Sequence, residues 1–356
     1  MGMWGKRDDM VVHQQEPFNA EPPGGALAGA RITDVDTFYS RSHGPVPRLD
    51  PADWRLTVDG LVAHPLRLSL AELRDRFEET GATVTLQCAG NRRAGLMTVR
   101  DIPGETPWGP GAASTARFHG VRLADVLAHA GVAPEAAHIA FHAPDVSPSA
   151  DPPQPYDVSV PRERATEPDV LLAWAMNGAP LPDVHGAPLR VVVPGWIGAR
   201  SVKWLTRVTA RTTPSDGYFQ TTAYRLPPDE AGAEGVALGP FPLNCAVLTP
   251  QDGALVAPGP VEVTGYALAG QGRTVARVEV STDGGRAWSR AALDEPAGPG
   301  VWQQWHITLD LPSGDADVLA RAWDTTGAGM PASPASLWNP KGYVNTSWPR
   351  VRLRVR

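Results

Sequence analysis

The 356-residue chain reads as two domains, an α+β unit over residues 1–240 and an all-β, immunoglobulin-like sandwich over residues 241–356. Three observations predict this. The length is twice that of an ordinary domain, which runs to about 150 residues. The first part mixes strand-period and helix-period segments without the regular βαβ alternation of a doubly wound sheet. A Pro/Gly-rich stretch over 225–242 then reads as a linker, and beyond it every regular segment has strand character.

Residues 1–50 are rich in Pro, Gly and polar residues, and 38–47 run from aromatic through cationic to turn-forming, the mix of a functional loop or of an arm packed on its domain. Trp54, Leu56 and Val58 alternate up to Asp59-Gly60, a strand and its turn. Ser69 and Glu72 make a capping box that opens a helix to about Glu79. Val84, Leu86 and Cys88 alternate with Thr83, Thr85 and Gln87, so this strand ends its inward face on a thiol. A Pro/Gly-rich loop over 101–111 carries Trp108, and Leu123, Val126, Leu127 and Ala130 share one helix face. Residues 138–142 form a short strand, and the prolines of 144–155 predict loop. The β-branched run 189–195 is a buried strand that leads through 196–204 into another. In the second domain the strands fall at 261–266, 275–281, 287–293, 301–311 and 317–323, with a hairpin turn at Asp283-Gly284-Gly285.

Composition excludes several classes. A net charge of −6 gives no whole-molecule attraction for nucleic acid. Cys88 and Cys245 cannot form a disulfide framework, and no CxxC, CxxCH or His-rich cluster points to zinc or a covalent haem. Cys245, with no charged neighbour in sequence, reads as structural. No run of 18 apolar residues exists, so no membrane span is expected, and the first 20 residues lack the apolar core of a leader. Cytoplasmic residence is expected, or periplasmic if a leader has been removed. Lysine is confined to Lys6, Lys203 and Lys341 among a large excess of arginine, which singles out the two internal ones.

Ala89-Gly90-Asn91 ends the thiol strand with small, turn-tolerant residues, and Arg92-Arg93 follow. Fixed positive charge lowers a thiol pKa, so Cys88 is a metal ligand or reactive group, or else a buried structural cysteine. Residues 85–93 resemble the sulfite oxidase family of molybdopterin enzymes in its haem-free form, and 38–47, 113–117, 185–195, 198–204 and 338–342 resemble it in the same order. The resemblance implies the sulfite oxidase fold with a β-rich dimerisation domain, a homodimer, and a molybdenum–molybdopterin cofactor ligated by Cys88. It implies an anion pocket of Arg41 and Arg93 with Trp108 and Tyr224, and Lys341 reaching in from the second domain. Tyr39, His43, Asp145, His185, Arg190, Ser201 and Lys203 would hold the pterin and its phosphate. Arg92 stays outside the site as a solvated arginine.

Three departures bear on substrate affinity: Lys341 where animal members carry arginine, Ser42 for asparagine, and Pro349 for histidine. The implied reaction is oxidation of sulfite to sulfate. Nitrate reduction is the nearest alternative, disfavoured by Tyr224 and Lys341; an S- or N-oxide reductase and a non-catalytic binding module are the others. No cytochrome b5 or flavin domain is legible in the chain, so electrons are expected to leave to a separate acceptor, cytochrome c or oxygen.

Overall fold

Two mostly antiparallel five-stranded sheets build the first domain of the computed structural model, which describes residues 2–228 and 235–356. One sheet runs Ala179–Pro180, Leu171–Met176, Ala113–Arg122, Glu79–Gln87, with Arg190–Val192 also on Leu171–Met176. The other runs Leu66–Leu68, Leu56–Gly60, Arg207–Arg211, His138–Ser147, Gln154–Pro161, and only the Leu56–Gly60 and Arg207–Arg211 pair is parallel. The absence of βαβ alternation thus has its structural counterpart in antiparallel pairing. Helix Leu123–Ala130 buries the four residues expected on its inner face, and they join both sheets in one core with Leu56, Phe141, Leu172 and Val208.

Local signals translate directly. Ser69 caps Leu70–Arg76 through a complete capping box, but the helix stops at Arg76 and Glu79 already opens the next strand. Half of the expected loop at 144–155 is strand. Pro144 sits in a bulge between Ala143 and Val146, and Pro155 pairs opposite Val146, so these prolines are accommodated where the ladder is already irregular. Only 148–153 connect the two strands.

The second domain is a sandwich of a four-stranded and a five-stranded sheet. The strand expected at 287–293 divides in two: Ser289–Arg290 joins one sheet and Ala292–Leu293 the other, crossing at buried Ala291. The turn at Asp283 is wider than a two-residue hairpin, because its carboxylate accepts from the Arg286 and Ala287 N–H groups. Strands Asn244–Thr249 and Arg350–Val355 complete the sandwich beyond those expected. Within the expected linker, Arg225–Leu226 and Val236–Ala237 pair antiparallel, and residues 229–234 of that stretch lie outside the described residues.

The domains share a core. Leu248, Tyr266, Trp302 and Tyr343 belong to the same apolar cluster as the first domain's sheets. Arg92 fastens the junction and is not solvated: its guanidinium donates to Asn244 Oδ1 at 2.8 Å, Ser347 O at 2.8 Å and Asn345 O at 3.4 Å. It does so from a left-handed backbone (φ 62°). Cys245 is fully buried in the sandwich core, and burial pushes its thiol up to about 12, opposed by the nearby charge of Arg92 that the sequence neighbours did not reveal.

Candidate active site

Cys88 leaves strand Glu79–Gln87 at a point where the chain must turn at once. Its N–H donates to Ala112 O at 2.9 Å, its carbonyl accepts from Asn91 N–H at 3.0 Å, and the left-handed Arg92 redirects the backbone into the short helix Arg93–Met97. The thiol therefore sits at a strand end, on the wall of a cavity. Three further segments close that cavity: the N-terminal arm with Tyr39, Arg41 and His43, the stretch with His185, Arg190, Ser201 and Lys203, and the turn ending in Tyr224. Asp145 enters from its strand. Gly186 (φ +104°) lets this packing form, because a Cβ there would stand 2.8 Å from Lys203 Cβ.

Three expected residues do not line the cavity. Arg93 is buried and committed elsewhere: Nε donates to Lys341 O at 2.9 Å, Nη1 to Thr106 O at 2.8 Å, and Nη2 lies 3.3 Å from Glu105. Lys341 Nζ pairs with the same Glu105 at 3.2 Å, so one carboxylate bridges two cations supplied by different domains. Trp108 is fully buried in the apolar cluster behind Cys88, its ring meeting His13 edge-on at 4.9 Å. Tyr343, directly after the Lys341 motif, stacks on Tyr224 at 5.6 Å and lies under Arg93.

The electrostatics are unusual for a protein interior. Lys6 and Arg190 are buried, and Arg41 and Lys203 are half-buried on the cavity. Their hydrogen bonds run to neutral groups. Arg41 donates to Asn19 Oδ1 and Ser42 O; Arg190 donates to His185 O and Ser201 O, each at 3.0 Å. Lys203 donates to Ser42 Oγ at 2.9 Å and Val184 O at 3.1 Å. Lys6 Nζ reaches Val35 O, Phe38 O and His185 Nε2. Among the described residues none of the four forms an ion pair. Burial pulls Arg190 down to about 10 and holds Lys203 well below its usual range, with Arg190 adding to the effect. A charge taken from water without a partner is costly, so an anion is the natural complement of this set.

Three buried polar atoms of cavity-lining residues, Ser40 Oγ, Asp145 Oδ1 and Arg190 Nε, have no hydrogen-bond partner in the protein. Each offers a contact that a bound group would satisfy. Burial raises the Asp145 carboxyl to about 7 although Lys203 opposes it. His43 Nε2 pairs with the Tyr224 hydroxyl at 2.6 Å. Burial, then Arg41 and Lys203, hold that imidazole neutral, and burial keeps Tyr224 a phenol. At Cys88 burial outweighs Arg93 and Arg41 and raises the thiol pKa, the reverse of the effect expected from adjacent arginines alone.

Lys6 and Glu105 were not among the residues expected here. Lys6 carries only its rarity as a signal, and Glu105 lies in a loop whose Pro and Gly content drew the attention.

Residues 43–219 match the family described as "Oxidoreductase molybdopterin binding domain", and 237–356 match "Mo-co oxidoreductase dimerisation domain". Sulfite oxidase of Gallus gallus is 43% identical over 363 residues, covering 95% of this chain and 76% of its own. Sulfite oxidase of Arabidopsis thaliana is 37% identical over 377 residues, covering 98% and 95%. Nitrate reductase [NAD(P)H] of Hordeum vulgare is 36% identical over 385 residues, covering 99% of this chain but 43% of its own. The chain spans 65% of the length of the Mus musculus sulfite oxidase and 66% of the Homo sapiens one. The solved structure of the sulfane dehydrogenase SoxCD from Paracoccus pantotrophus superposes with a TM-score of 0.84 at 28% identity, covering 97% of this chain and 86% of that one.

Proposed function

The chain belongs to the sulfite oxidase family of molybdopterin-binding oxidoreductases, and from that premise we propose that it oxidises sulfite to sulfate and passes the electrons to a separate acceptor. The observation that carries this reading is one thiol on a cavity lined by Arg41, Arg190 and Lys203, whose hydrogen bonds run to neutral groups. A cofactor that brings its own sulfur ligands and an anionic tail fits that wall. Among the described residues no three His, Cys, Asp or Glu side chains cluster to hold a metal unaided, so the protein would supply a single soft donor, Cys88.

When bound, the molybdenum cofactor supplies the two-electron change and the oxygen transferred to sulfur; overall, sulfite and water give sulfate, two protons and two electrons. The chain's own residues divide the remaining work. Arg190 and Lys203, with His185 and Ser201, would hold the cofactor's phosphate, and Asp145 Oδ1 and Tyr39 would contact its ring system. Arg41 presents its guanidinium beside the thiol, the planar donor set that orients an oxyanion. Tyr224, kept protonated, has its O–H free as a second donor to the same anion where His43 bonds it through Nε2–H. Glu105 holds Arg93 and Lys341 together behind that position.

Protein purified from a host that makes the cofactor is expected to contain molybdenum and chain in equal amounts and to reduce cytochrome c, ferricyanide or oxygen only with sulfite. The same preparation tests the nitrate alternative, which the similarity to the barley enzyme supports: nitrate turnover with a reduced viologen exceeding sulfite turnover would replace the present reading. Arg41→Gln is expected to raise KM for sulfite about 10- to 100-fold, the worth of one or two charge-assisted hydrogen bonds, with a smaller change in kcat. Steady-state kinetics over a range of sulfite concentrations check it.

A further inference from the structure

We propose that Lys6 is a positioning residue for the cofactor: from the N-terminal arm it fixes the ring of His185 on the wall that receives the cofactor's anionic end. Lys6 lies outside the 43–219 stretch that matches the molybdopterin-binding family, and no part of the reaction assigned above uses it. Its side chain is 2% exposed.

Lys6 Nζ has three polar neighbours, Val35 O at 2.6 Å, Phe38 O at 2.7 Å and His185 Nε2 at 2.6 Å, and burial pulls the amine down to about 7. Two are carbonyls that accept N–H bonds from the amine, and the third contact ties Nζ to Nε2 of the ring. The imidazole is kept neutral by burial and by the charges of Lys6, Lys203 and Arg190. Phe38 meets the ring edge-on at 5.3 Å and sets its plane, while Lys6 holds the Phe38 carbonyl with the same nitrogen. His185 lines the cavity, and its own carbonyl anchors Arg190. One lysine thus ties the His185 ring to the arm and holds the carbonyl of the phenylalanine that packs on that ring. A hydrogen bond to the far nitrogen is the device by which proteins orient a ligating histidine, and loss of such a support typically weakens binding by about 10- to 100-fold.

This inference rests on the reading that the cavity takes a phosphate-bearing pterin. The test uses the loaded enzyme and a readout other than turnover: molybdenum and pterin retained by wild type, Lys6→Met, His185→Ala and the double variant during dialysis, alongside melting temperatures of protein made with and without cofactor. Lys6→Met is expected to lose cofactor about tenfold faster or more, with a larger drop in melting temperature for loaded than for cofactor-free protein. In the His185→Ala background it is expected to add little, because its effect passes through that ring. Lys6→Arg, which keeps the charge but cannot place one nitrogen against all three acceptors, is expected to retain cofactor to an intermediate degree.

Equal retention by wild type and Lys6→Met overturns the proposal, as does equal destabilisation of loaded and cofactor-free forms. Fully additive losses in the double variant overturn it too. If Lys6→Met does not fold, Lys6→Arg decides, and retention indistinguishable from wild type counts against. Wild type that carries no molybdenum at all would instead overturn the underlying reading.

Discussion

Cys88→Ser is expected to abolish sulfite oxidation and molybdenum binding while leaving the chain folded. The residue is 6% exposed at a strand end whose geometry is set by main-chain bonds to Ala112 and Asn91, and serine preserves these. Placing a hydroxyl where a thiol was costs about 1–2 kcal/mol, a small part of the stability of a chain this size. The loss of function is of another order, since a hydroxyl is neither soft nor ionised at neutral pH and cannot replace a thiolate donor. Metal analysis with thermal denaturation separates the two effects. The pH dependence follows from the same site. Burial raises the Cys88 thiol above its ordinary value, so without metal it is protonated at neutral pH, and metal capture must release that proton. Loading is therefore expected to strengthen as pH rises and weaken as it falls, which molybdenum content of the wild-type protein across a pH series measures.

Arg92→Met is expected to destabilise the protein by about 3–5 kcal/mol without touching the cavity. Its three acceptors, Asn244 Oδ1, Ser347 O and Asn345 O, all lie in the second domain and are buried with it. Methionine fills the space but leaves those oxygens unsatisfied, and buried acceptors without donors cost about 1–3 kcal/mol each. Denaturant unfolding followed by tryptophan fluorescence measures the loss. A fall below about 1 kcal/mol would mean that the shared apolar core, and not this guanidinium, fastens the domains.

How far such features are legible in the sequence depends on the distance over which their partners lie. The Ser69 capping box closes within four residues, and the buried face of Leu123–Ala130 repeats within two turns, so both are visible locally. Pro144 and Pro155 misled because proline is read as a strand breaker, while tertiary pairing places them at a bulge. Arg350–Val355 alternates charged and apolar residues in plain view, and the structure places its apolar members in the sandwich core. Arg92 is a different case. Nothing in the dipeptide Arg92-Arg93 itself tells the two arginines apart, and their fates are set by Ser347, 255 positions from Arg92, and by the Lys341 carbonyl, 248 positions from Arg93. Lys6 is a further instance, since its partner His185 stands 179 positions away. The motifs around Cys88, Arg190 and Lys203 were visible through family resemblance, and the structure gathers these three residues on one cavity. The bridging role of Glu105 was not, because its partner Lys341 stands 236 positions away.

The arm, the thiol strand and the loop of Lys341 meet at one place, so the site draws on the opening, middle and closing parts of the chain. During synthesis Lys6 and Arg41 emerge long before the residues they serve, and Arg93 waits for a partner carbonyl 248 positions later. A chain without the second domain would lack the clasp that Lys341 forms with Arg93 and Glu105.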